Sequence, residues 1–227
     1  MVLERLSEIQ RRIEQAAQRC DRDPSKVELM AVVKYAATED VRTLLRSGRL
    51  RFCAESRVQD AQRRRAELGE DAGKASWRFI GHLQTNKARA AAELFDSIDS
   101  VDSLKLARAL DKQLADAGAQ KKVLLQVKLS SRETQSGILP EELDAFKAAL
   151  RETPRLKPCG MMAILPMIEP VEAVRPFCKE FKKIFDRHFP EDSIPERFLS
   201  AGMSRDYEIA VEEGANLLRI GTALFEG

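Results

Sequence analysis

Eight short apolar segments alternate with helical patterns along this chain of 227 residues, and this alternation constrains the fold more than any other feature. The predicted strands cover residues 28–33, 51–53, 77–80, 97–99, 122–128, 156–162, 197–200 and 217–220. The predicted helices between them cover residues 39–47, 58–68, 87–94, 104–117, 141–151, 171–188 and 206–213. A further amphipathic helix opens the chain, because apolar residues recur at helical spacing at Leu3, Leu6, Ile9, Ile13 and Ala17.

Strict alternation of strands and helices predicts a parallel sheet with right-handed connections. Eight such units at this length favour one domain, residues 1–227, folded as a closed (β/α)₈ TIM barrel. Only residues 222–227 follow the last strand, too few for a full helix, so the N-terminal helix is expected to cover the seam between strands eight and one. An open doubly wound sheet is the alternative, because strands two and four are weakly patterned.

Composition argues against several classes of function. The 38 basic and 36 acidic side chains nearly cancel, which disfavours nucleic-acid and membrane-surface roles. The densest basic run, residues 63–65, is expected to be a solvated helix face. Four cysteines without paired spacing indicate the reducing cytoplasm, and two distant histidines predict no metal site.

Lys34 ends the apolar run of residues 29–33, and Thr38 begins the next predicted helix. Ligands in α/β folds bind at the carboxyl ends of the strands, so Lys34 is a candidate nucleophile. The alternative is an ordinary loop lysine whose ammonium group lies in water.

Residues 200–204 and 219–222, which follow the last two strands, carry residue types that bind anions. Glycine lets the backbone approach an anion, hydroxyl groups donate hydrogen bonds, and a helix N-terminus offers free N–H groups. A glycine and a serine before a helix are equally typical of ordinary capping. Arg219 interrupts an apolar strand and needs a buried partner, which is either a side chain such as Glu55 or a ligand acceptor.

Six segments in order, spanning nearly the whole chain, form a distinctive set: VVK at 32–34, ESRVQD at 55–60, WRFIGHLQTNK at 77–87, GMMAI at 160–164, LSAGMSRD at 199–206 and RIGTALF at 219–225. Together they resemble the pyridoxal phosphate homeostasis protein family, whose fold is the alanine racemase N-terminal barrel. The chain departs from the family pattern at Tyr35, at Ser56 where asparagine is expected, and at Gln135 where lysine is usual.

The resemblance implies that Lys34 forms an internal aldimine with pyridoxal 5'-phosphate (PLP) and that Arg219 faces the pyridine nitrogen. Arginine does not give up its proton, so that nitrogen is expected to stay unprotonated and the ring to be a poor electron sink. The resemblance assigns the other cofactor contacts to Ser56, Met162, Ser200, Gly202, Ser204, Gly221 and Thr222.

The implied function is storage, buffering or delivery of PLP in the cytoplasm, without a committed substrate. PLP-dependent apo-enzymes are the expected partners, and a monomer or a weak dimer the expected state. The alternative is a weak PLP-dependent amino-acid racemase, which requires a second proton carrier opposite the lysine. Strand alternation predicts that Tyr35 points away from Lys34, and Tyr207, the other tyrosine, lies on a helix, so we expect no second base.

Overall fold

The computed structural model describes residues 1–129 and 136–226, and its eight strands close into a parallel barrel in sequence order. The strands are β1 Glu28–Val32, β2 Phe52–Glu55, β3 Ser76–Phe79, β4 Ser97–Val101, β5 Lys121–Val127, β6 Leu156–Ala163, β7 Phe198–Ser200 and β8 Leu217–Ile220. The helices are α1 Val2–Gln18, α2 Thr38–Arg46, α3 Val58–Leu68, α4 Ala88–Leu94, α5 Leu104–Asp116, α6 Leu143–Leu150, α7 Arg175–His188, α8 Tyr207–Glu212 and α9 Thr222–Phe225.

Closure is set by the pairing of the first and last strands. Glu28 lies opposite Leu217, and the register continues to Ala31 opposite Ile220. The predicted TIM barrel is therefore confirmed, and the open sheet is wrong. Because all the strands are parallel, their carboxyl ends meet at one mouth, and the ends of β7, β8 and β1 are neighbours there.

The N-terminal helix covers the seam, as expected. Helix α1 buries its apolar face and packs against α8, α9 and α2. Arg19, the residue after α1, pairs with Glu212 of α8 at 2.6 Å. Residues 222–225, expected to be too few for a full helix, form the single turn α9, in which Leu224 is buried.

The core has two layers. The larger one lies between the sheet and the helices, and the smaller one fills the barrel with Met30, Val32, Phe52, Ala54, Leu124, Cys159, Met162, Phe198 and Leu217. Arg78 also lies inside, with its guanidinium 4.9 and 4.8 Å from the ring centroids of Phe52 and Phe198 and hydrogen-bonded to Asp99 at 2.7 and 3.0 Å. A buried charge of this kind requires such a partner.

A cavity of about 600 Å³ opens at the amino-terminal end of the barrel, away from the mouth. Its basic lining includes Arg51 and Lys122, and Glu196 pairs with both of them. Arg51 also pairs with Glu28, so two carboxylates balance these two cations within the protein. None of the described helices is long and apolar enough to cross a membrane.

Several element ends differ from the sequence prediction because polar residues lie within strands. Strand β2 runs on to Glu55, and β4 continues past Asp99 to Val101. Strand β1 instead stops at Val32, one residue early. The predicted helices at 141–151 and 171–188 each contain a short 3₁₀ turn before the α-helix begins.

Candidate functional site

Lys34 lies at the mouth of the barrel, exposed, two residues beyond the end of β1. Gly221, the residue after β8, lies against the end of β1, since a Cβ on Gly221 would lie 3.3 Å from the carbonyl oxygen of Val32. Two residues span at most about 7 Å, so the Lys34 backbone is close to the residues that follow β8. The backbone that carries Lys34 and the residues after β8 therefore lie at the same end of the barrel.

Tyr35 does not point away from Lys34, as strand alternation predicted. The Lys34 Nζ lies 4.9 Å from the centroid of the Tyr35 ring, and this ring is 74% exposed. The reason is that β1 ends at Val32 and residues 34–35 form a turn, where alternation no longer applies. The prediction about Tyr35 was therefore wrong.

The segment after β7 leaves backbone donors free. Gly202 has φ +88°, and a Cβ there would lie 2.7 Å from the Cβ of Ala210, so the close turn requires glycine. The N–H of Met203 donates to the Asp206 carboxylate at 2.6 Å, whereas the N–H groups of Ser204 and Arg205 donate to no described residue. Successive free N–H groups in a turn suit an anion.

A hydrogen bond joins the segments after β7 and β8. The N–H of Ala223 in α9 donates to Ser204 Oγ at 3.1 Å, which holds the two segments together. Thr222 lies beside it, exposed, as the first residue of α9. Ser204 and the start of α9, which includes Thr222, thus lie side by side at the mouth.

Arg219 lies inside the barrel next to this surface. Its Nη1 donates to Ser200 Oγ and its Nη2 to the carbonyl oxygen of Ala163, each at 2.7 Å. Its Nε donates to no described residue. No carboxylate pairs with this guanidinium within the described ranges, and burial lowers the pKa of Arg219 to about 10. A buried cation without a counter-ion is suited to a ligand acceptor.

Glu55, the candidate partner of Arg219, pairs instead with Arg64 of α3. Glu55 Oε1 lies 3.3 Å from Arg64 Nε, and both side chains are buried. Arg64 belongs to the basic run of residues 63–65 that was expected to be solvated. It shares a helix face with buried Val58, Ala61 and Leu68, and this helical spacing is the sequence signal that could have placed it inside.

The remaining predicted residues differ in their surroundings. Ser56 follows β2, and a Cβ on Gly81 would lie 2.1 Å from its carbonyl oxygen, so the two loops are in close contact. Met162 is buried in the barrel interior. Gln135 lies outside the described residues.

The sequence of this chain matches a known protein family along nearly its whole length. Residues 5–227 match the family described as "Alanine racemase, N-terminal domain". The chain belongs to this family. Within it, the chain is 38% identical to the pyridoxal phosphate homeostasis protein of Pseudomonas aeruginosa, covering 99% of this chain and 94% of that protein. The resemblance deduced from the six segments is therefore confirmed.

Two solved structures resemble this alanine racemase N-terminal domain to different degrees. PipY of Synechococcus elongatus, solved with PLP bound, has a TM-score of 0.84 and 33% identity, covering 99% of this chain and 100% of that one. An alanine racemase of Clostridium difficile has a TM-score of 0.73 at 15% identity, and only 55% of its length is covered. The second likeness concerns the fold alone.

Proposed function

We propose that this chain binds PLP at the mouth of its barrel and serves in PLP homeostasis by storing, buffering or delivering the cofactor. The observation that carries the proposal is the arrangement of three groups at one mouth. An exposed lysine follows β1, free N–H and hydroxyl groups follow the neighbouring strands β7 and β8, and a buried guanidinium without a hydrogen-bonded carboxylate lies in β8. The bound cofactor of PipY, a relative of equal length, supports the same ligand here.

The residues present fit each part of PLP. The aldehyde of PLP condenses reversibly with a primary amine, and Lys34 supplies that amine at the mouth. Gly202, Ser204, Gly221 and Thr222 offer a phosphate group the close backbone, free N–H groups and hydroxyls that it requires. Ser56 and Met162 are proposed to contact the rest of the cofactor.

Arg219 is proposed to face the ring nitrogen, with Ser200 acting through it. Ser200 Oγ and the Ala163 carbonyl each accept one hydrogen bond from Arg219, which fixes the plane of the guanidinium. An arginine donates a hydrogen bond but does not transfer its proton, so the ring nitrogen stays unprotonated. A ring in that state withdraws electrons weakly, which favours a carrier over an enzyme.

Racemisation has less support, although Tyr35 contacts Lys34. A two-base reaction needs proton carriers on opposite faces of the cofactor ring, and a ring in contact with the lysine amine approaches from the lysine's own side. Tyr207 is buried where α8 packs against α1, with the Arg12 guanidinium 5.5 Å from its ring centroid. It therefore lies outside the barrel interior.

We also propose a cytoplasmic location, a single domain, and a monomer or weak dimer that hands PLP to PLP-dependent apo-enzymes. The location is supported by the four cysteines, which are all free although three of them are buried. A reducing compartment keeps thiols in that state.

Absorbance tests the proposal. Wild-type protein incubated with PLP is expected to develop an imine band that borohydride removes. Lys34→Ala is expected to lose the band while keeping weak, phosphate-driven binding. Lys105→Ala changes an exposed lysine of α5 and is the matched control, which should behave as wild type. A wild-type protein that stays colourless would instead support an interaction module that binds no cofactor.

A further inference from the structure

The turn that carries Lys34 is not held by the strand ladder. The last backbone bond of β1 to its neighbour runs from the N–H of Val33 to the carbonyl of Ala54, at 3.0 Å. The turn then closes on itself, with the N–H of Ala36 donating to the carbonyl of Val33 at 3.0 Å. The position of the exposed amine therefore depends on whatever fixes the far end of the turn, at Ala36.

Arg64 fixes that end. Its Nη1 donates to the carbonyl oxygen of Ala36 at 3.0 Å, although Arg64 lies in α3, 28 residues further along the chain. The Arg64 side chain is only 7% exposed, and Ala36 is buried as well. Because this hydrogen bond is shielded from water, it is stronger than an exposed one and holds Ala36 in place.

Glu55 holds Arg64 in place from β2. Glu55 Oε1 lies 3.3 Å from Arg64 Nε, and Glu55 Oε2 accepts the N–H of Ser56 at 3.2 Å. The loop of Ser56 is packed in turn against Gly81 after β3. One buried ion pair thus ties the segments after the first three strands into a single unit.

A buried ion pair is seldom the most stable choice, because apolar residues of the same volume often stabilise a fold equally well. Here the guanidinium uses its fork to reach a carboxylate and a backbone carbonyl at once, which an apolar side chain does not do. The ion pair therefore fixes the conformation of the turn in addition to stabilising the fold.

We propose that Arg64 is a positioning residue for Lys34, acting through the carbonyl of Ala36. The inference rests on the proposed function. PLP is a rigid ring with its aldehyde and phosphate at a fixed separation, so the amine must lie at a matching distance from the segments after β7 and β8. A shift of about 1 Å in such a group can lower reactivity by about 100-fold.

The test separates covalent attachment from total binding. Wild type, Arg64→Met, Arg64→Lys and Arg63→Met are loaded with PLP, and bound cofactor is measured by equilibrium dialysis. The fraction attached to Lys34 is then trapped with borohydride and measured by mass spectrometry. Urea unfolding of each protein, recorded separately, gives the folded fraction. Arg63 is the matched control, because it neighbours Arg64 on α3 but is 64% exposed and pairs with Asp60.

We expect the covalent fraction of folded Arg64→Met to fall by at least about tenfold while phosphate-driven binding persists. Arg64→Lys reaches Glu55 or Ala36 but not both, so it should lie between Arg64→Met and wild type, and Arg63→Met should match wild type. If Arg64→Met does not fold, Arg64→Lys carries the test.

An unchanged covalent fraction in folded Arg64→Met or Arg64→Lys would overturn the inference, as would covalent and total binding that fall together with the folded fraction. If the proposed function is wrong, the result is different: wild type and Arg63→Met would themselves form no covalent adduct with PLP.

Discussion

Arg219 Nη1 donates a hydrogen bond to Ser200 Oγ at 2.7 Å, with both side chains buried inside the barrel. This bond joins neighbouring strands β8 and β7 directly below the mouth. It fixes the orientation of a guanidinium for which the described part of the chain supplies no carboxylate. The fold therefore maintains a buried cation at the mouth with no hydrogen-bonded carboxylate among the described residues, and several expectations depend on this.

Arg219→Met should lower PLP affinity while leaving the stability of the fold nearly unchanged. The substitution removes two hydrogen bonds, worth about 1 kcal/mol each, but also the cost of burying an unpaired cation. Because these effects oppose one another, the unfolding free energy of the cofactor-free protein should stay within about 1 kcal/mol of wild type in urea. PLP affinity should fall by about tenfold or more. Unchanged affinity would remove Arg219 from the site.

Ser204→Ala should weaken both the fold and phosphate binding. Ser204 Oγ accepts the N–H of Ala223, so its loss should cost about 1 kcal/mol of unfolding free energy. It should also lower PLP affinity about tenfold, as expected for one hydrogen bond to a charged group. Ser103→Ala is the control, because Ser103 caps α5 by accepting the N–H of Leu106. It should cost similar stability and leave affinity unchanged; equal affinities in the two variants would contradict the phosphate role.

Racemase turnover should be negligible. The loaded protein is incubated with L-alanine, and the loss of circular dichroism is followed over hours, with Tyr35→Phe in parallel. Because Tyr35 contacts Lys34 and Tyr207 is buried between helices, we expect no second proton carrier and no decay in either protein. Rapid decay that Tyr35→Phe abolishes would instead make Tyr35 a catalytic base.

Stability should decrease in mild acid because of His188. The side chain is 5% exposed, and burial, assisted by nearby Lys147, lowers its pKa below the ordinary value. The unfolded chain therefore binds the proton more readily, so this contribution is present above about pH 6.5 and is lost as the pH falls towards the folded value. The unfolding free energy, measured in urea across this pH range, should fall less steeply with decreasing pH in His188→Gln than in wild type. The same dependence on pH in both proteins would contradict the assignment to His188.

The barrel was predictable because its signals are local. Alternating apolar runs and capped helices fix the element order, and parallel connectivity then allows few topologies. The same reasoning placed Lys34 and the segments after β7 and β8 at one mouth. Pairing of β1 with β8 confirms that placement.

The errors concern contacts between residues that are distant in sequence or just beyond an element's end. Glu55 was considered only as a partner of Arg219, and sequence alone did not show that α3 brings Arg64 to it. The prediction for Tyr35 assumed that the alternation of side chains continues beyond β1. Strand β1 ends at Val32, one residue earlier than predicted, and the alternation ends there too. Such details are decided by packing, which periodicity does not encode.

The most direct test of the account is to map the modified lysine. PLP-loaded protein is reduced with borohydride, digested and analysed by mass spectrometry. The account predicts one predominant pyridoxyl-modified peptide, the one that contains Lys34, and no such peptide from Lys34→Ala. Modification of another lysine with Lys34 left free, or of no lysine at all, would contradict it.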